Sequence, residues 1–308
     1  MVGVFMDPDA LIAVNGQITR PDEARISALD RGFLIGDAVF EVCVAFGGKV
    51  LDINRHLSRL RASAEMLDLG IPWSDEELAF ELTSLAEQVP HPKKYLRLTV
   101  TGGPGLGVRM PENRRPSRVA YCFKAEEDPL LKTGHGTALK RVVRAGAVRG
   151  AQPKTPYYLP AAMALSRAER DGFGDILWSH IDGEVAEAHA ANIFFMTRDG
   201  DHVTYITPPA HSGILLGVTR DTLISLMKNA GIPVREEVVY ADELPRFDEA
   251  FLTSSVRGLV PVSRIDGHKL HTLRPQSTFW HIERLFLTWV ATQVGYRVDW
   301  RTGKKLVP

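Results

Sequence analysis

Gly183-Glu184-Val185-Ala186-Glu187-Ala188-His189-Ala190-Ala191-Asn192-Ile193-Phe194 is the stretch on which the reading of this chain turns. Gly183 punctuates the chain, and Glu184–Ala186 and Ile193–Thr197 are short, β-prone runs too close together for a helix to lie between them. Similar runs flank them at Asp175–Ser179 and Val203–Thr207. A succession of strands without intervening helices cannot build the regular βαβ crossovers of a doubly wound sheet, so the expectation is α+β.

Working outward, the same alternation of element types holds on both sides. Towards the N-terminus, Ala10–Ile18 alternates around Asn15-Gly16, a hairpin signal. Ala38–Phe46 reads as a strand that Gly47-Gly48 turns into Lys49–Ile53. Leu57, Leu60, Ala64 and Leu67 recur at helical spacing within Arg55–Leu69, with Gly70 as the stop. Ser74 and Glu77 form a capping-box pattern that opens a helix over Asp75–Gln88. Tyr95–Thr101 and Val119–Lys124 are strands separated by the Gly/Pro-rich segment Gly102–Ser117, in which Gly102-Gly103-Pro104-Gly105-Leu106-Gly107 reads as a mobile loop. Beyond the centre, Ala138–Ala145 alternates, and Leu159–Arg170 and Val218–Asn229 are helices ended by Gly172 and Gly231. Val234–Val239, Glu249–Thr253 and Leu259–Ile265 are strands, and Thr278–Val294 is a last amphipathic helix. The charged, turn-rich stretch around Glu126-Glu127-Asp128-Pro129 predicts a division into residues 1–126, a linker at 127–136 and a larger domain at 137–308.

Composition narrows the function. The 308 residues carry 37 basic and 37 acidic side chains, a net charge of zero without the basic surplus of a nucleic-acid binder. Met1–Asp9 lacks a basic region followed by an apolar one, and no run reaches the ~18 apolar residues of a membrane span. The expectation is therefore a cytoplasmic protein that engages neither nucleic acid nor membrane. Cys43 and Cys122 sit in apolar runs and read as core thiols. The histidines are scattered without HExxH or close His/Cys pairs, so no metal site is expected. Neither a Gly-x-Ser-x-Gly elbow nor a Walker A sequence occurs.

Three local features carry chemistry. Gly213-Ile214-Leu215-Leu216-Gly217-Val218-Thr219-Arg220 runs a glycine-punctuated loop into a helix, where backbone N–H groups and the Thr219 hydroxyl can hold a phosphate. Thr253-Ser254-Ser255 ends an apolar strand with three hydroxyls, an anion corner or a plain turn. Pro153-Lys154-Thr155-Pro156-Tyr157-Tyr158-Leu159 sets a lysine just ahead of a helix. A lysine, then an acidic residue at Glu187, then two anion sites is the set a pyridoxal phosphate enzyme needs. It requires an amine for a Schiff base, a carboxylate for the pyridine nitrogen and donors for the phosphate.

With these residues in place, the sequence resembles the two-domain fold-type IV (class IV) pyridoxal phosphate aminotransferases, the group of the branched-chain and D-amino acid aminotransferases. The matching segments are Ser27-Ala28-Leu29-Asp30-Arg31-Gly32-Phe33, Gly36-Asp37-Ala38-Val39-Phe40-Glu41, His56-Leu57-Ser58-Arg59-Leu60, Lys154, Glu187 with Asn192-Ile193-Phe194, Leu216 to Arg220, and Phe251-Leu252-Thr253-Ser254-Ser255. The resemblance implies pyridoxal 5'-phosphate as cofactor, Lys154 as the Schiff-base lysine and proton shuttle, and Glu187 as partner of the pyridine nitrogen. It implies Arg59, the amides of Val218 and Thr219, the Thr219 hydroxyl and Ser255 as phosphate ligands. Tyr158 would meet the phenolic oxygen and Asn192 joins the cofactor-binding set. Phe40, Tyr95, Arg97 and Val256 fall on the substrate side, Tyr95 and Arg97 at the α-carboxylate end as in branched-chain enzymes. A Lys154 amine near Arg59 and partly desolvated would have a lowered pKa.

The resemblance further implies a ping-pong transfer between an amino donor and a 2-oxo acid acceptor, branched-chain-like L-amino acids favoured, in a homodimer whose Gly102–Val108 loop lies near the interface. D-amino acid enzymes carry an arginine and a histidine where this chain has Thr101-Gly102-Gly103. An (R)-selective amine or D-amino acid transaminase and a 4-amino-4-deoxychorismate lyase remain alternatives on the same fold, and a non-catalytic binding protein would have lost Lys154 or Glu187. Departures from the family pattern fall at Tyr157, Pro156, His189, the tail from Leu273, and Ser254-Ser255-Val256-Arg257. There Arg257 could face a substrate carboxylate or solvent.

Overall fold

A computed structural model describes residues 7–125, 136–144, 146 and 149–306. The chain divides into two compact units. The first comprises Met1–Glu126, Pro153–Tyr157 and Gln293–Pro308, and the second Glu127–Gln152 and Tyr158–Thr292. Two segments distant in sequence thus belong with the N-terminal unit, which a single cut near residue 130 does not anticipate. Of the linker expected at 127–136, all but Gly136 lies outside the described residues.

The first unit is built on a six-stranded sheet in the order β2-β1-β6-β5-β3-β4. Its strands are β1 (Leu11–Val14), β2 (Gln17–Thr19), β3 (Ala38–Phe46), β4 (Lys49–Val50), β5 (Lys93–Thr101) and β6 (Ser117–Lys124). The first hairpin closes on Asn15 and Gly16, both at positive φ (50° and 87°), as a two-residue turn between twisted strands requires. Helices α2 (Ile53–Glu65) and α3 (Asp75–Gln88) cover one face of this sheet. Val39, Cys43, Leu96, Leu98, Val100 and Cys122 from the strands and Leu57, Leu60, Leu82 and Leu85 from the helices form its core. Ser74 and Glu77 make the capping box that opens α3. Helix α2 begins two residues before the expected start, at left-handed Asp52, and ends four residues before the expected stop. Asp68, at φ 50°, turns the chain ahead of Gly70.

Helix α1 (Arg31–Ile35) is not legible in the periodicity, because five residues offer no repeat; Asp30 caps it and left-handed Gly36 ends it. It anchors the start of the Gly102–Ser117 loop. Arg31 is fully buried, its Nε donates to Asp37 Oδ2 (2.7 Å) and its Nη1 to the Gly107 carbonyl (2.8 Å). The Arg31 amide donates to the Gly103 carbonyl and the Gly102 amide to the Asp37 carbonyl, both at 2.9 Å.

The C-terminal tail packs in this same unit. Trp300 lies against Phe46 (5.2 Å between rings), and its carbonyl accepts from Lys93 Nζ (2.8 Å). A Cβ at Gly303, which sits at φ 73°, would collide with Lys93.

The second unit holds a nine-stranded sheet in the order β12-β11-β10-β13-β14-β7-β8-β9, with β15 (His268–Lys269) pairing β14. Its other strands are β7 (Thr137–Val143), β8 (Asp175–Ser179), β9 (Val185–Ala188), β10 (Asn192–Asp199), β11 (His202–Thr207), β12 (Val234–Glu236), β13 (Glu249–Ser254) and β14 (Gly258–Ile265). Helices α4 (Leu159–Arg170), α5 (Val218–Asn229) and α6 (Phe279–Val294) complete it. Strand β9 runs one to two residues later than expected, which puts Glu187 on the strand itself. The sheet mixes parallel and antiparallel pairs, β7 lying parallel to both β14 and β8 and the β10–β13–β14 run being antiparallel. This is the α+β class expected.

Arg31→Met should leave Asp37 as a buried, poorly compensated carboxylate. Breaking a buried pair costs about 3–5 kcal/mol, so denaturant unfolding should show a loss of that order and limited proteolysis should cut the 102–110 loop.

Candidate active site

In the first unit, residues Pro153–Tyr157 run beside the edge of β3 that β4 covers only at Ala45 and Phe46. The Phe40 amide donates to the Lys154 carbonyl (3.0 Å), and the Lys154 amide donates to Ser63 Oγ (3.1 Å). The lysine backbone is thereby fixed by a strand on one side and a helix residue on the other. Lys154 Nζ lies 4.7 Å from the centre of the Phe40 ring, and the Arg97 guanidinium lies 3.8 Å from the same ring. Arg97 Nε donates to Thr99 Oγ1 (3.2 Å). Because β3 and β5 pair antiparallel with Phe40 opposite Thr99 and Val42 opposite Arg97, these groups share one sheet face with Tyr95. Tyr95 stacks on Phe123 at 4.6 Å.

The opposite face of β3 carries a buried ionic cluster. Arg59 donates through Nε to Glu41 Oε1 and through Nη2 to Glu41 Oε2, each at 2.7 Å, and His56 Nδ1 meets Glu41 Oε2 at 2.7 Å. Burial pushes the Glu41 carboxyl up, but the Arg59 and His56 hydrogen bonds and charges outweigh it and bring the pKa down to about 2. Burial dominates at the two thiols: Cys43 is pushed well up and Cys122 to about 12, as inert core thiols require.

In the second unit, Glu187 is anchored through Oε2. Its Oε2 accepts from Asn192 Nδ2 and from the Leu215 amide, both at 3.0 Å, while Asn192 Nδ2 also donates to the Leu215 carbonyl (2.8 Å). Asn192 is thus the group that orients Glu187. Gly217 follows from the same contact, since a Cβ there would collide with Asn192 Oδ1. Gly217 is the N-cap of α5, and no side chain caps that helix start, which leaves the Val218–Thr219 turn suited to an anion. Thr219 is 8 % exposed. Ser255 and Val256 lie half-buried in the turn from β13 to β14, and half-buried Tyr158 precedes α4, its carbonyl accepting from Ala162 (2.9 Å).

Two departures from the family pattern meet on a residue the sequence did not single out. Asp175, fully buried at the start of β8, accepts from His189 Nδ1 (2.6 Å) and the Ile176 amide (2.7 Å) through Oδ1, and from Arg257 Nη1 (3.0 Å) through Oδ2. Arg257 is therefore turned towards Asp175, with its side chain 21 % exposed. Burial raises the Asp175 carboxyl, yet His189 and Arg257 hold it below the ordinary range.

The geometry thus gathers Lys154, Phe40 and Arg97 on one face of the first sheet and Arg59 on the α2 side of β3. It gathers Glu187, Asn192 and the α5 start in the second unit. Sequence reading missed Ser63, the Glu41–His56 pairing and Asp175. His56, Arg59 and Ser63 recur at i, i+3 and i+7, a polar helix face that was a usable signal.

The donor set fits a pyridoxal phosphate: a helix start without a side-chain cap, a carboxylate oriented by Asn192 and the Leu215 amide, and a lysine with its backbone pinned at both polar groups. Glu41 also sets an acid limit. Its folded pKa lies below the ordinary 4.5, so its stabilisation is present above pH 4.5 and is lost as pH falls towards about 2. The denaturant midpoint should drop across that window, and less so in Glu41→Gln.

Residues 38–265 match the family model "Amino-transferase class IV". A D-alanine aminotransferase of Listeria monocytogenes is 30% identical over 270 residues, covering 83% of this chain and 88% of that protein. A branched-chain-amino-acid aminotransferase of Salmonella typhimurium is 27% identical over 269 residues, covering 82% and 84%. The branched-chain amino acid aminotransferase of T.th., complexed with N-(5'-phosphopyridoxyl)-L-glutamate, superposes with a TM-score of 0.80 at 25% identity, covering 92% of this chain and 94% of that one. This chain belongs to the class IV aminotransferases, a pyridoxal phosphate-dependent family of fold type IV.

Proposed function

We propose that this aminotransferase moves an amino group between an L-amino acid with a branched-chain-like side chain and a 2-oxo acid, by a ping-pong mechanism. The observation that carries the substrate class is the shared wall at Phe40. A lysine ammonium and an arginine guanidinium both meet this one buried ring, at 4.7 and 3.8 Å. An α-carboxylate can pair with Arg97 while an apolar side chain lies on Phe40 and Tyr95.

Bound pyridoxal 5'-phosphate supplies an electron sink for the Cα–H bond. Lys154 provides the amine that holds the cofactor and then carries the proton. Asn192 and the Leu215 amide, by fixing Glu187 Oε2, turn that carboxylate so that it keeps the pyridine nitrogen protonated. Arg59, the Val218 and Thr219 amides, the Thr219 hydroxyl and Ser255 hold the phosphate, and Tyr158 meets the phenolic oxygen. The roles assigned to these residues rest on family resemblance joined to the local geometry.

A homodimer belongs to the same reading. Phe33 of α1 and Leu106 and Val108 of the tethered loop are 70 %, 74 % and 79 % exposed, an apolar surface suited to a second copy. Among the described residues, no helix is long and apolar enough to cross a membrane. Cytoplasmic residence accords with buried free thiols at Cys43 and Cys122. The 30% identity to a D-alanine aminotransferase makes D-amino acids the second reading.

Purified protein should show a visible absorption band that borohydride removes, and Lys154→Ala should lack it; a band that persists in the variant overturns the lysine's role. Mixing the enzyme with L-amino acids, D-amino acids and simple amines should bleach that band fastest with branched-chain L-donors. Preference for D-donors selects the second reading, and β-elimination without an acceptor selects a lyase. Arg97→Ala should weaken amino acids by roughly tenfold to a hundredfold in KM, the ~1.5–3 kcal/mol of a charged hydrogen bond, while sparing amines.

A further inference from the structure

Glu41 and His56 have no part in the reaction as described, yet they are among the most enclosed ionisable groups of the first unit, with side chains 1 % and 3 % exposed. We infer that Glu41 is the positioning residue of the phosphate-binding arginine: with His56 it fixes the plane and reach of Arg59, so that α2 sets the spacing between phosphate and Lys154. This rests on the reading of Arg59 as a phosphate ligand.

The geometry supports a positioning role in three ways. The carboxylate takes Nε and Nη2 of Arg59 together, the bidentate fork that defines a guanidinium's plane and not only its distance. Glu41 in turn cannot swing, because His56 Nδ1 holds its Oε2. A neighbour that is ionised makes Nδ1 the donor and so fixes the ring's orientation as well. Finally, Arg59 and Ser63 stand one turn apart on the same helix, and Ser63 Oγ takes the Lys154 amide. One rigid helix therefore carries both the phosphate cation and the clamp on the lysine backbone.

A purely stabilising role would be met as well or better by apolar residues, since desolvating an ion pair cancels most of its attraction. What an apolar pair cannot do is aim a guanidinium. An arginine released from this fork would regain part of its rotamer freedom.

Charge and orientation predict opposite results, which makes the inference testable. Removing the Glu41 charge makes Arg59 more attractive to any anion. Removing its grip loosens the arginine. The experiment titrates wild type and Glu41→Gln with pyridoxal 5'-phosphate and with pyridoxal, the same aldehyde without the phosphate. The visible band and the borohydride-fixed adduct on Lys154 are followed. The expected result is a rise in Kd for the phosphate ester of about tenfold, the ~1.4 kcal/mol of a mis-aimed charged hydrogen bond, with pyridoxal unchanged within about twofold. In an Arg59→Gln background, Glu41→Gln should add nothing.

Tighter binding of the phosphate ester, an equal loss for both aldehydes, or additive losses in the double variant would each overturn the inference. If Glu41→Gln does not fold by circular dichroism, His56→Gln takes its place. The same phosphate-selective loss is then expected, at about threefold for the weaker constraint, and no loss or an unselective one overturns it. Wild-type protein that forms no adduct with either aldehyde would instead overturn the cofactor reading beneath it.

Discussion

Strand β3 has to serve two environments at once, and the period of two along it makes that possible. Val39, Glu41, Cys43 and Ala45 point to the helices α2 and α3, while Phe40, Val42 and Val44 point the other way. A shift of one residue in its pairing with β5 would send Glu41 to the Arg97 face and Phe40 into the helices. The nine paired positions from Ala38 to Phe46 fix that register over the strand's whole length. The two faces therefore carry different groups, the Glu41–Arg59 pair on one and the Phe40 ring with Arg97 on the other, and the Lys154 segment runs along the edge between them.

In the second unit the equivalent constraint is crowding at Asn192. Its amide touches Glu187 and the backbone of Leu215, and its carbonyl side presses against Gly217. A single side chain thereby links the strand that bears the carboxylate to the loop that leads into α5. Asp175 does similar work nearby, tying the residue after β9 to the turn after β13 through His189 and Arg257. Two of the positions where this chain departs from its family, His189 and Arg257, are thus coupled to one buried carboxylate.

Much of this was legible in the residues. Hairpin turns, capping boxes and apolar spacing located most strands and helices, because those signals are local. The ranges expected for Asp75–Gln88, Leu159–Arg170, Asp175–Ser179 and Val218–Asn229 coincide with the observed ends. What escaped was non-local or too short to repeat. Helix α1 has five residues, and the tether from Arg31 to Gly107 spans 76 positions. Lys154, Glu187 and the α5 start could be picked out as chemistry, since a cofactor's needs recur in a known order. Glu41 stood inside a quoted motif, but its partner lay 18 residues away on another element, a distance at which spacing carries no information. Asp175 read as an ordinary strand start for the same reason.

The tail has a consequence for biosynthesis. Trp300 covers Phe46, and Lys93 is enclosed against Trp300 and Gly303, so the N-terminal unit closes only with residues from the chain's last sixteen. A nascent chain folding from its first residues exposes the ends of β3 and β5 for the whole time the second unit is being translated. At about 5–20 residues per second that interval lasts roughly ten to forty seconds. Phe46 and Lys93 are therefore the part of the first unit that stays uncovered longest during synthesis.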